Sequence, residues 1–262
     1  MKIEKLTNKE YWNNNYKSTN KSNYLPSYNS IDQQNNHELL EILSIYLNGD
    51  SVLEIGAGDS DFLIYLTSEY HDISFSGMDY SALGCENLKQ RANNLSLQIE
   101  VINEDLFAGD SRYFNKFSLV YSLGVVEHFD DLGSVLKNTK RFCKSNGYHL
   151  AIIPNMAGIY GWVTKLIDKE IYDIHNPHDL DSFIKGHEAA NMEVVLAQYS
   201  GFFNAGVLTS CAPFKGNSLC FKFIYKFLKG ITKTLSFINK YLFQIPKSSN
   251  FSPYIVVVSK VK

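Results

Sequence analysis

Residues 52–60 read VLEIGAGDS, and this stretch decides the fold. Its first half has the apolar character of a short buried strand, and residues 61–70 after it have the pattern of a helix. Glycines between a strand and a helix let the backbone approach a ligand closely, and the free N–H groups of the helix start face that ligand. The stretch therefore predicts a strand–loop–helix unit with a binding site at the carboxyl end of the strand.

Strand-like and helix-like segments alternate along the chain around this unit. Further strands are predicted at residues 73–79, 97–102, 117–123, 148–153, 193–199 and 254–261, and further helices at 37–47, after Ser81 to residue 95, and from Asp130 or Asp131 to about residue 144. This alternation is typical of an α/β, Rossmann-like fold. We expect a mostly parallel seven-stranded sheet with helices on both faces and right-handed crossovers.

The chain has 262 residues, which fits one large domain, or one domain with an appended lobe. Residues 1–36 are predicted to form an N-terminal arm or lid, because residues 13–36 are polar and read as a loop outside the core. Residues 37–203 are expected to form the core. Residues 204–250 are expected to form a helical insert, and residues 251–262 the final strand of the core sheet.

Charge is distributed unevenly along the chain. The net charge is −2, yet nine lysines and no acidic residue follow Glu193. Between Leu219 and Leu242 apolar residues recur every three or four positions and lysines form a separate stripe, which predicts a basic amphipathic helix. Its role is open: contact with an anionic membrane, contact with a phosphorylated substrate, or a cap over the sheet with solvated lysines.

Composition excludes several classes of protein. Hydrophobic residues make up 45% of the chain, which rules out disorder, and the net charge of −2 gives no reason to expect a nucleic-acid partner. The sequence has no apolar run near the ~18 residues that span a bilayer, no secretory signal pattern and no CxxC pair. We therefore expect a cytoplasmic protein without a transmembrane segment.

An acidic residue ends the second predicted strand. Asp79 lies 23 residues after Gly56. In parallel α/β folds a carboxylate at this point can accept hydrogen bonds from both hydroxyls of a ribose. Together with the glycine loop, Asp79 predicts a nucleoside-bearing cofactor at the carboxyl edge of the sheet.

The motifs VLEIGAG, MDYS, NEDLF and YSLGVVEHF occur in this order and resemble the successive motifs of class I S-adenosylmethionine-dependent methyltransferases. The resemblance covers residues 50–155 and implies S-adenosylmethionine as cofactor and S-adenosylhomocysteine as product. The implied cofactor contacts are Glu54, Gly56 and Gly58 for the methionine part, Asp79 for the ribose, Tyr80 and Leu106 beside the adenine, Asp105 for its amino group, and Ser122 or Leu123 for the methionine part. Ser60 stands where a third glycine is usual.

Two other functions share parts of this pattern. An NAD-dependent oxidoreductase has a similar glycine loop and acid but normally shows a full G-x-G-x-x-G, and Asp61 occupies the place of its last glycine. A non-catalytic partner protein with the methyltransferase fold is the second alternative, since a fold does not fix a function. Titration with S-adenosylmethionine and with NAD distinguishes these readings.

The sequence narrows the methyl acceptor by exclusion. It has no Asn/Asp-Pro-Pro-aromatic segment, no Pro-Cys pair and no paired-glutamate loop, which disfavours nucleic-acid and protein-arginine acceptors. We expect O-methylation of a small polar metabolite, with a saccharide and an anionic, phosphorylated intermediate as candidates.

A hydroxyl acceptor needs a base, and histidine suits neutral pH. His128, after the fourth strand, is the first candidate, and His175 with its neighbours His178 and His187 supplies alternatives as base or substrate contact. Asn155 is a candidate for orienting the acceptor.

The pair Glu127-His128 also resembles quinone-biosynthesis O-methyltransferases, in which a further Glu three residues earlier helps to hold a divalent metal. Gly124 occupies that position, so we predict no obligatory metal.

Overall fold

The computed structural model describes residues 5–17, 21, 23–30, 33–108, 110–210 and 219–262. The strands are β1 (Ser51–Ile55), β2 (Ser74–Asp79), β3 (Ile99–Asn103), β4 (Phe117–Leu123), β5 (Cys143–Pro154), β6 (Met192–Ser200) and β7 (Tyr254–Val261). They form a seven-stranded sheet in the order β3-β2-β1-β4-β5-β7-β6. β7 runs antiparallel to β5 and β6, and the other neighbours pair in parallel. The predicted α/β sheet is thus confirmed.

The helices are α1 (Lys9–Lys17), α2 (Gln34–Ile45), α3 (Asp61–Glu69), α4 (Ala82–Asn94), α5 (Leu132–Lys140), α6 (Ile159–Ile167), α7 (Lys169–Asp173), α8 (Leu180–Ala189) and α9 (Leu219–Tyr241). Ser81 caps α4 as predicted, because its hydroxyl accepts a hydrogen bond from the Gly84 N–H at 3.1 Å. Asp131 caps α5 in the same way through the Ser134 N–H at 2.9 Å. These caps explain where both helices begin.

Apolar side chains cover both faces of the sheet. Because successive side chains of a strand point to opposite faces, β4 contributes Val120 to one core and Leu119 with Tyr121 to the other. α5 and α8 pack on the Val120 face, whereas α2, α3 and α4 pack on the opposite face. The sheet is therefore buried on both sides, and its carboxyl edge is left to form the site.

The N-terminal segment differs from the expectation of a loop outside the core. α1 is helical over residues 9–17 and packs against α4, and Tyr28 is buried in the core. Trp12 and Tyr16 lie four residues apart, so both rings can pack on one side of α1, and this packing outweighs the low helix propensity of the asparagines between them.

α2 begins at Gln34, earlier than predicted. Asn35 lies inside the first turn, and its side chain accepts a hydrogen bond from the Phe202 N–H at 2.8 Å. It therefore holds the end of β6 instead of capping α2.

The insert between β6 and β7 contains a 3-10 turn (Ala205–Ser210) and α9, which continues through Gly230 without a break. The predicted limits of arm and insert stay predictions, and residues 1–4, 18–20, 22, 31–32, 109 and 211–218 lie outside the described residues. In the described parts of the chain, every helix is too short or too polar to cross a membrane.

Candidate active site

Three adjoining cavities open at the carboxyl edge of the sheet. Cavity A lies over the ends of β1, β2 and β3, cavity B lies beside the glycine loop between β1 and α3, and cavity C lies beside the end of β5. Leu123, the last residue of β4, lines all three of them. The cavities therefore meet at the end of β4.

The glycine loop has a backbone that other residues would strain. Gly56 has φ +74° and Gly58 has φ +45°. A Cβ on Gly56 would lie 2.3 Å from a methyl carbon of Val125, and a Cβ on Gly58 would lie 1.9 Å from the hydroxyl oxygen of Tyr16. Both glycines are thus required by backbone conformation and by close neighbours.

Asp79 faces cavity A at the end of β2. Its carboxylate accepts a hydrogen bond from the Ser81 N–H at 2.7 Å and interacts with the Gly58 N–H and the Tyr16 hydroxyl. Burial raises the pKa of Asp79 to about 6, although these hydrogen bonds oppose the shift. The carboxyl group is therefore held at a fixed place with a pKa close to neutrality.

Tyr80, Asp105 and Leu106 also line cavity A, as the resemblance implies. Asp105 forms an ion pair with Lys5, whose Nζ lies 2.5 Å from Oδ2, and the same ammonium lies 5.2 Å from the centre of the Tyr80 ring. Lys5 pairs with Phe129 in an isolated β-bridge. Lys5 of the N-terminal segment thus lines cavity A, and the role of this segment as a lid stays a prediction.

Glu54 is buried beside cavity B and organises the glycine loop. Its Oε2 accepts hydrogen bonds from the Ser60 hydroxyl at 2.7 Å and the Tyr121 hydroxyl at 2.6 Å. Burial raises the pKa of Glu54 to about 7, against these hydrogen bonds. The Ser60 hydroxyl in turn accepts from the Leu63 N–H at 3.0 Å, so this serine caps α3 where a third glycine would be usual.

Ser122 and Leu123 occupy different sides of β4. The Ser122 side chain is buried and lines none of cavities A, B and C, whereas Leu123 lines each of them. Neighbouring residues of a strand point in opposite directions, so the two cannot both face the cleft. Of the two residues expected to contact the methionine part, the geometry favours Leu123.

His128 lies on the wall shared by cavities A and C. Its Nδ1 is 2.6 Å from the carbonyl oxygen of Ile174, and since a carbonyl can only accept, Nδ1 carries the hydrogen and Nε2 keeps a lone pair. Burial, followed by the proximity of His175, lowers the pKa of His128 to about 4. The ring is therefore neutral near pH 7, with Nε2 able to accept a proton.

His175 is brought next to His128, with 4.6 Å between the ring centres. Its Nδ1 lies 2.7 Å from the Ile171 carbonyl oxygen, so its Nε2 also keeps a lone pair, and burial lowers its pKa. His175 lines cavity C. The two histidines, distant in sequence, thus present the same tautomer at one cavity.

Glu127 lies under the histidine pair and is 1% exposed. Within the described residues neither of its side-chain oxygens has a hydrogen-bond partner, and Oε1 lies 4.0 Å from Nε2 of His128. Burial raises the pKa of Glu127 to about 8, so it is mostly protonated at pH 7. A neutral carboxylic acid beside two imidazole lone pairs can take part in moving a proton.

The same three side chains could hold a metal ion, since one ligand atom from each lies within 4.8 Å of the others. Zinc ligands at ~2.1 Å from the ion are only about 3.4 Å apart, so the side chains would have to move inward to bind one. The expectation of no obligatory metal stays a prediction.

Asn155 is buried and lines none of cavities A, B and C. Its side-chain amide donates hydrogen bonds to the carbonyl oxygens of Ser249, at 2.7 Å, and Ser252, at 2.9 Å. The structure therefore places it as a clamp on the segment before β7, and its expected role in orienting the acceptor finds no support.

His178 and His187 lie away from the cavities, against Phe183 of the core. The Nδ1 of His187 is 2.8 Å from the Ser259 hydroxyl. Of the three histidines predicted after β5, the structure brings only His175 to the cleft.

Sequence reasoning gave no role to Lys5, Trp12 and Tyr16, which line cavity A. Trp12 also lines cavity C and packs edge-on against His128, with 5.4 Å between the ring centres. Two signals were present in the sequence: the pair Tyr11-Trp12, which resembles an N-terminal feature of many class I methyltransferases, and the two aromatic residues Trp12 and Tyr16 four positions apart in an otherwise polar segment.

Comparison with known proteins agrees with this geometry. Residues 53–149 match the family model of a methyltransferase domain. No curated protein is similar enough in sequence to count as a match. The matched residues are 97 of the 262 in the chain, so the match shows a methyltransferase domain in this part, in agreement with the ordered motifs and the order of the strands in the sheet.

Solved structures share the fold at low sequence identity. A geranyl diphosphate C-methyltransferase from Streptomyces coelicolor A3(2) is 14% identical, with a TM-score of 0.59 over 97% of this chain and 98% of that chain. A SAM-dependent methyltransferase from Archaeoglobus fulgidus is 18% identical, with a TM-score of 0.55 over 88% and 94%. The [4+2]-cyclase SpnF is 12% identical, with a TM-score of 0.59 over 92% and 86%. Because one of these is named for a different reaction, the fold leaves the reaction to be argued from the site.

Proposed function

We propose that the protein transfers the methyl group of S-adenosylmethionine to a hydroxyl group of a small molecule in cavity C. The observation that carries this proposal is the position of Leu123, which lines all three cavities. An adenosine in cavity A, a methionine tail in cavity B and an acceptor in cavity C would come together at this one residue.

The residues present fit the cofactor. Asp79 offers a fixed carboxyl group to ribose hydroxyls, and Tyr80 and Leu106 form the walls that would flank an adenine. Gly56 and Gly58 leave room over the loop, although the Tyr16 hydroxyl now contacts Asp79 and lies over Gly58. Tyr16 therefore has to move aside before the ribose reaches Asp79.

His128 is the proposed base. Its Nδ1–H is bonded to a backbone carbonyl, which fixes the ring and leaves Nε2 to accept the acceptor's hydroxyl proton. A pKa of about 4 makes it a weak base, but that proton becomes strongly acidic once the oxygen gains a methyl group. His175, whose Nε2 keeps a lone pair, is positioned to receive that proton afterwards.

The lining of cavity C refines the expected acceptor. Its apolar part includes Ile152, Ile153, Met156, Ile171 and Val207, and no Lys or Arg among the described residues lines it. A phosphate or other anionic group would have no cationic partner there and would have to remain outside. We therefore propose an acceptor that carries its hydroxyl group on an apolar body. Any saccharide or phosphorylated part of this acceptor would lie outside the cavity.

Calorimetric titration with S-adenosylmethionine and with NAD is the first test. We expect the first ligand alone to bind, and preferential binding of NAD would overturn the proposal.

The second test is incubation with ¹³C-methyl-labelled cofactor and candidate acceptors, followed by NMR of the product. An O-methyl signal is expected, a C-methyl signal would reassign the acceptor atom, and cofactor binding without any transfer would indicate the non-catalytic alternative. A cytoplasmic location stays a prediction from the sequence.

A further inference from the structure

The outer side of α9 carries a stripe of exposed aromatic residues. The exposed fractions of Phe223, Phe227, Phe237 and Tyr241 are 75%, 63%, 49% and 57%. At 3.6 residues per turn these side chains lie within about 80° of one another around the helix. We call these four residues the aromatic stripe. The four residues form two pairs, Phe223 with Phe227 and Phe237 with Tyr241, separated along the helix by Gly230 and Thr234. Exposed apolar side chains grouped on one side of a helix indicate an interaction surface.

Lysines lie beside the aromatic stripe and within about 60° of one another around the helix. All are exposed: Lys222, Lys226, Lys229, Lys233 and Lys240. The sequence places no acidic residue on α9 or anywhere else after Glu193, so the helix itself carries no negative charge. At its C-terminal end, Lys240 lines a cavity together with Glu38 and Glu41 of α2. We call the five lysines the lysine stripe.

α9 contacts the rest of the protein through a different face. Thr232 and Ser236 are buried on that face, and the Thr232 hydroxyl accepts a hydrogen bond from the Ala205 N–H at 3.0 Å. The packing face lies about 180° from the aromatic stripe, as the helical repeat requires. The aromatic stripe therefore points away from the protein.

The surface adjoins the acceptor side of the site. The turn Ala205–Ser210 contacts both α9 and α6, and its residues Gly206 and Val207 line cavity C. α6 itself exposes Trp162 and Leu166, which are 67% and 71% exposed. Exposed apolar side chains thus occur on both helices next to the turn that forms part of the acceptor cavity.

We propose that α9 docks this protein on an anionic lipid surface and that the methyl acceptor is an amphiphile held in that surface. The aromatic stripe would enter the interfacial region of the bilayer, and the lysine stripe would pair with lipid phosphates. Aromatic rings beside lysines are typical of interfacial helices, whereas lysine is depleted in protein–protein interfaces. The charge of the stripe thus favours lipid over a protein partner.

The acceptor part of this proposal rests on the proposed function. Apolar side chains form most of the lining of cavity C, and its polar side chains are those of Glu127, His128, His175, Thr164 and Tyr254. A mostly apolar lining suits the body of an amphiphile. The turn Ala205–Ser210 connects that cavity to the docking helix. A lipid-borne acceptor could therefore reach His128 from the surface on which α9 lies.

Vesicle co-sedimentation of the full chain tests the docking. We expect pelleting with vesicles of equimolar phosphatidylglycerol and phosphatidylcholine, and little with phosphatidylcholine alone. The double substitution Lys226→Gln and Lys233→Gln should weaken partitioning roughly 25-fold, at about five-fold per lysine. Phe227→Ser with Phe237→Ser should weaken it by roughly ten-fold or more.

Matched controls come from exposed residues elsewhere. Ile45→Ser on α2 removes an equally exposed apolar side chain, and Lys185→Gln on α8 removes an exposed lysine. Both controls should pellet like the unchanged chain. The docking proposal would be overturned if the chain failed to pellet with anionic vesicles or pelleted equally with neutral ones. Equal losses in the control variants would also overturn it. In each case a protein partner for α9 would become the better explanation.

Other measurements separate the docking from the reaction. All variants should bind S-adenosylmethionine normally, which also shows that they are folded. A chain that binds vesicles but transfers no methyl group would overturn the proposed function and leave the docking. With labelled cofactor and isolated membranes, label should enter the chloroform-soluble fraction, and label confined to the aqueous fraction would overturn the membrane-borne acceptor.

Discussion

The cofactor side of the cleft (cavities A and B) and the acceptor side (cavity C) draw their residues from different parts of the chain. Gly56, Asp79 and Asp105 each follow one of three neighbouring strands, and parallel pairing brings these strand ends to one edge. Trp12, His128 and His175 come from α1, from the segment after β4 and from the end of α7. The first set is assembled by the sheet itself, and the second by packing of distant segments.

The two sides also differ in the hydrogen bonding of their buried carboxyl groups. On the cofactor side, Glu54 and Asp79 accept hydrogen bonds from neighbouring hydroxyl or backbone groups, which fixes the shape of the loop. On the acceptor side, Glu127 has no side-chain hydrogen-bond partner within the described residues. A buried polar group without a partner is costly, so such groups point to function. The hydrogen bonds on the cofactor side hold its acids in place, whereas Glu127 on the acceptor side is free of such bonds in the described part of the chain, as the proposed movement of a proton would require.

Replacing His128 should have the largest effect. Loss of a general base lowers turnover by ~10² to 10⁴-fold, and we expect His128→Ala to fall in this range with little change in cofactor affinity. Steady-state kinetics and calorimetry measure the two quantities. His37→Ala, at a solvent-exposed imidazole on α2, is the control and should leave turnover unchanged.

Two outcomes would break this reading of the acceptor side. Unimpaired turnover of His128→Ala would move the base to His175 or elsewhere. Loss of activity after dialysis against EDTA, restored by a divalent cation, would make Glu127, His128 and His175 metal ligands and His128 no longer the base.

Replacing Asp79 tests the cofactor side. Hydrogen bonds to a charged group contribute about 1.5 to 3 kcal/mol each, so Asp79→Ala should weaken S-adenosylmethionine binding at least ten-fold. Calorimetry measures the dissociation constant, and Asp72→Ala, at an exposed acid just before β2, is the control. Near-normal binding by Asp79→Ala would refute the ribose contact.

Cofactor affinity should also depend on pH through Asp79. Only the ionised carboxylate can accept from both ribose hydroxyls as a charged group, and burial raises the pKa of Asp79 to about 6. Affinity should therefore be constant above this value and fall as pH drops below it, by up to about ten-fold per unit. Asp79→Asn should lack this dependence, and Glu54→Gln identifies any contribution of Glu54, whose pKa is raised to about 7. A profile that is flat down to pH 5 would contradict the assignment.

The smallest expected effect concerns Tyr16. Its hydroxyl interacts with Asp79 at the place where the ribose would bind, so Tyr16→Phe removes a competing donor. In the unchanged chain, the hydrogen bond from Tyr16 to Asp79, worth ~1.5 to 3 kcal/mol, must break before the cofactor binds. Tyr16→Phe removes part of this cost, so we expect cofactor affinity to rise about three- to ten-fold. Tyr11→Phe, on the same helix, is the control. Weaker binding by Tyr16→Phe would mean that Tyr16 holds the cofactor and does not compete with it.

The sequence determined the sheet, the glycine loop and the position of the acid Asp79 at the end of β2, because alternating apolar segments, capping residues and short motifs are local signals. It also showed the lysines of α9, but not that the aromatic stripe faces outward while Thr232 and Ser236 are buried. Only the tertiary structure decided which histidine reaches the cleft, that Asn155 serves as a clamp, and that α1 covers the cofactor side. These features depend on contacts between residues that are far apart in the chain. Local sequence patterns do not predict such contacts.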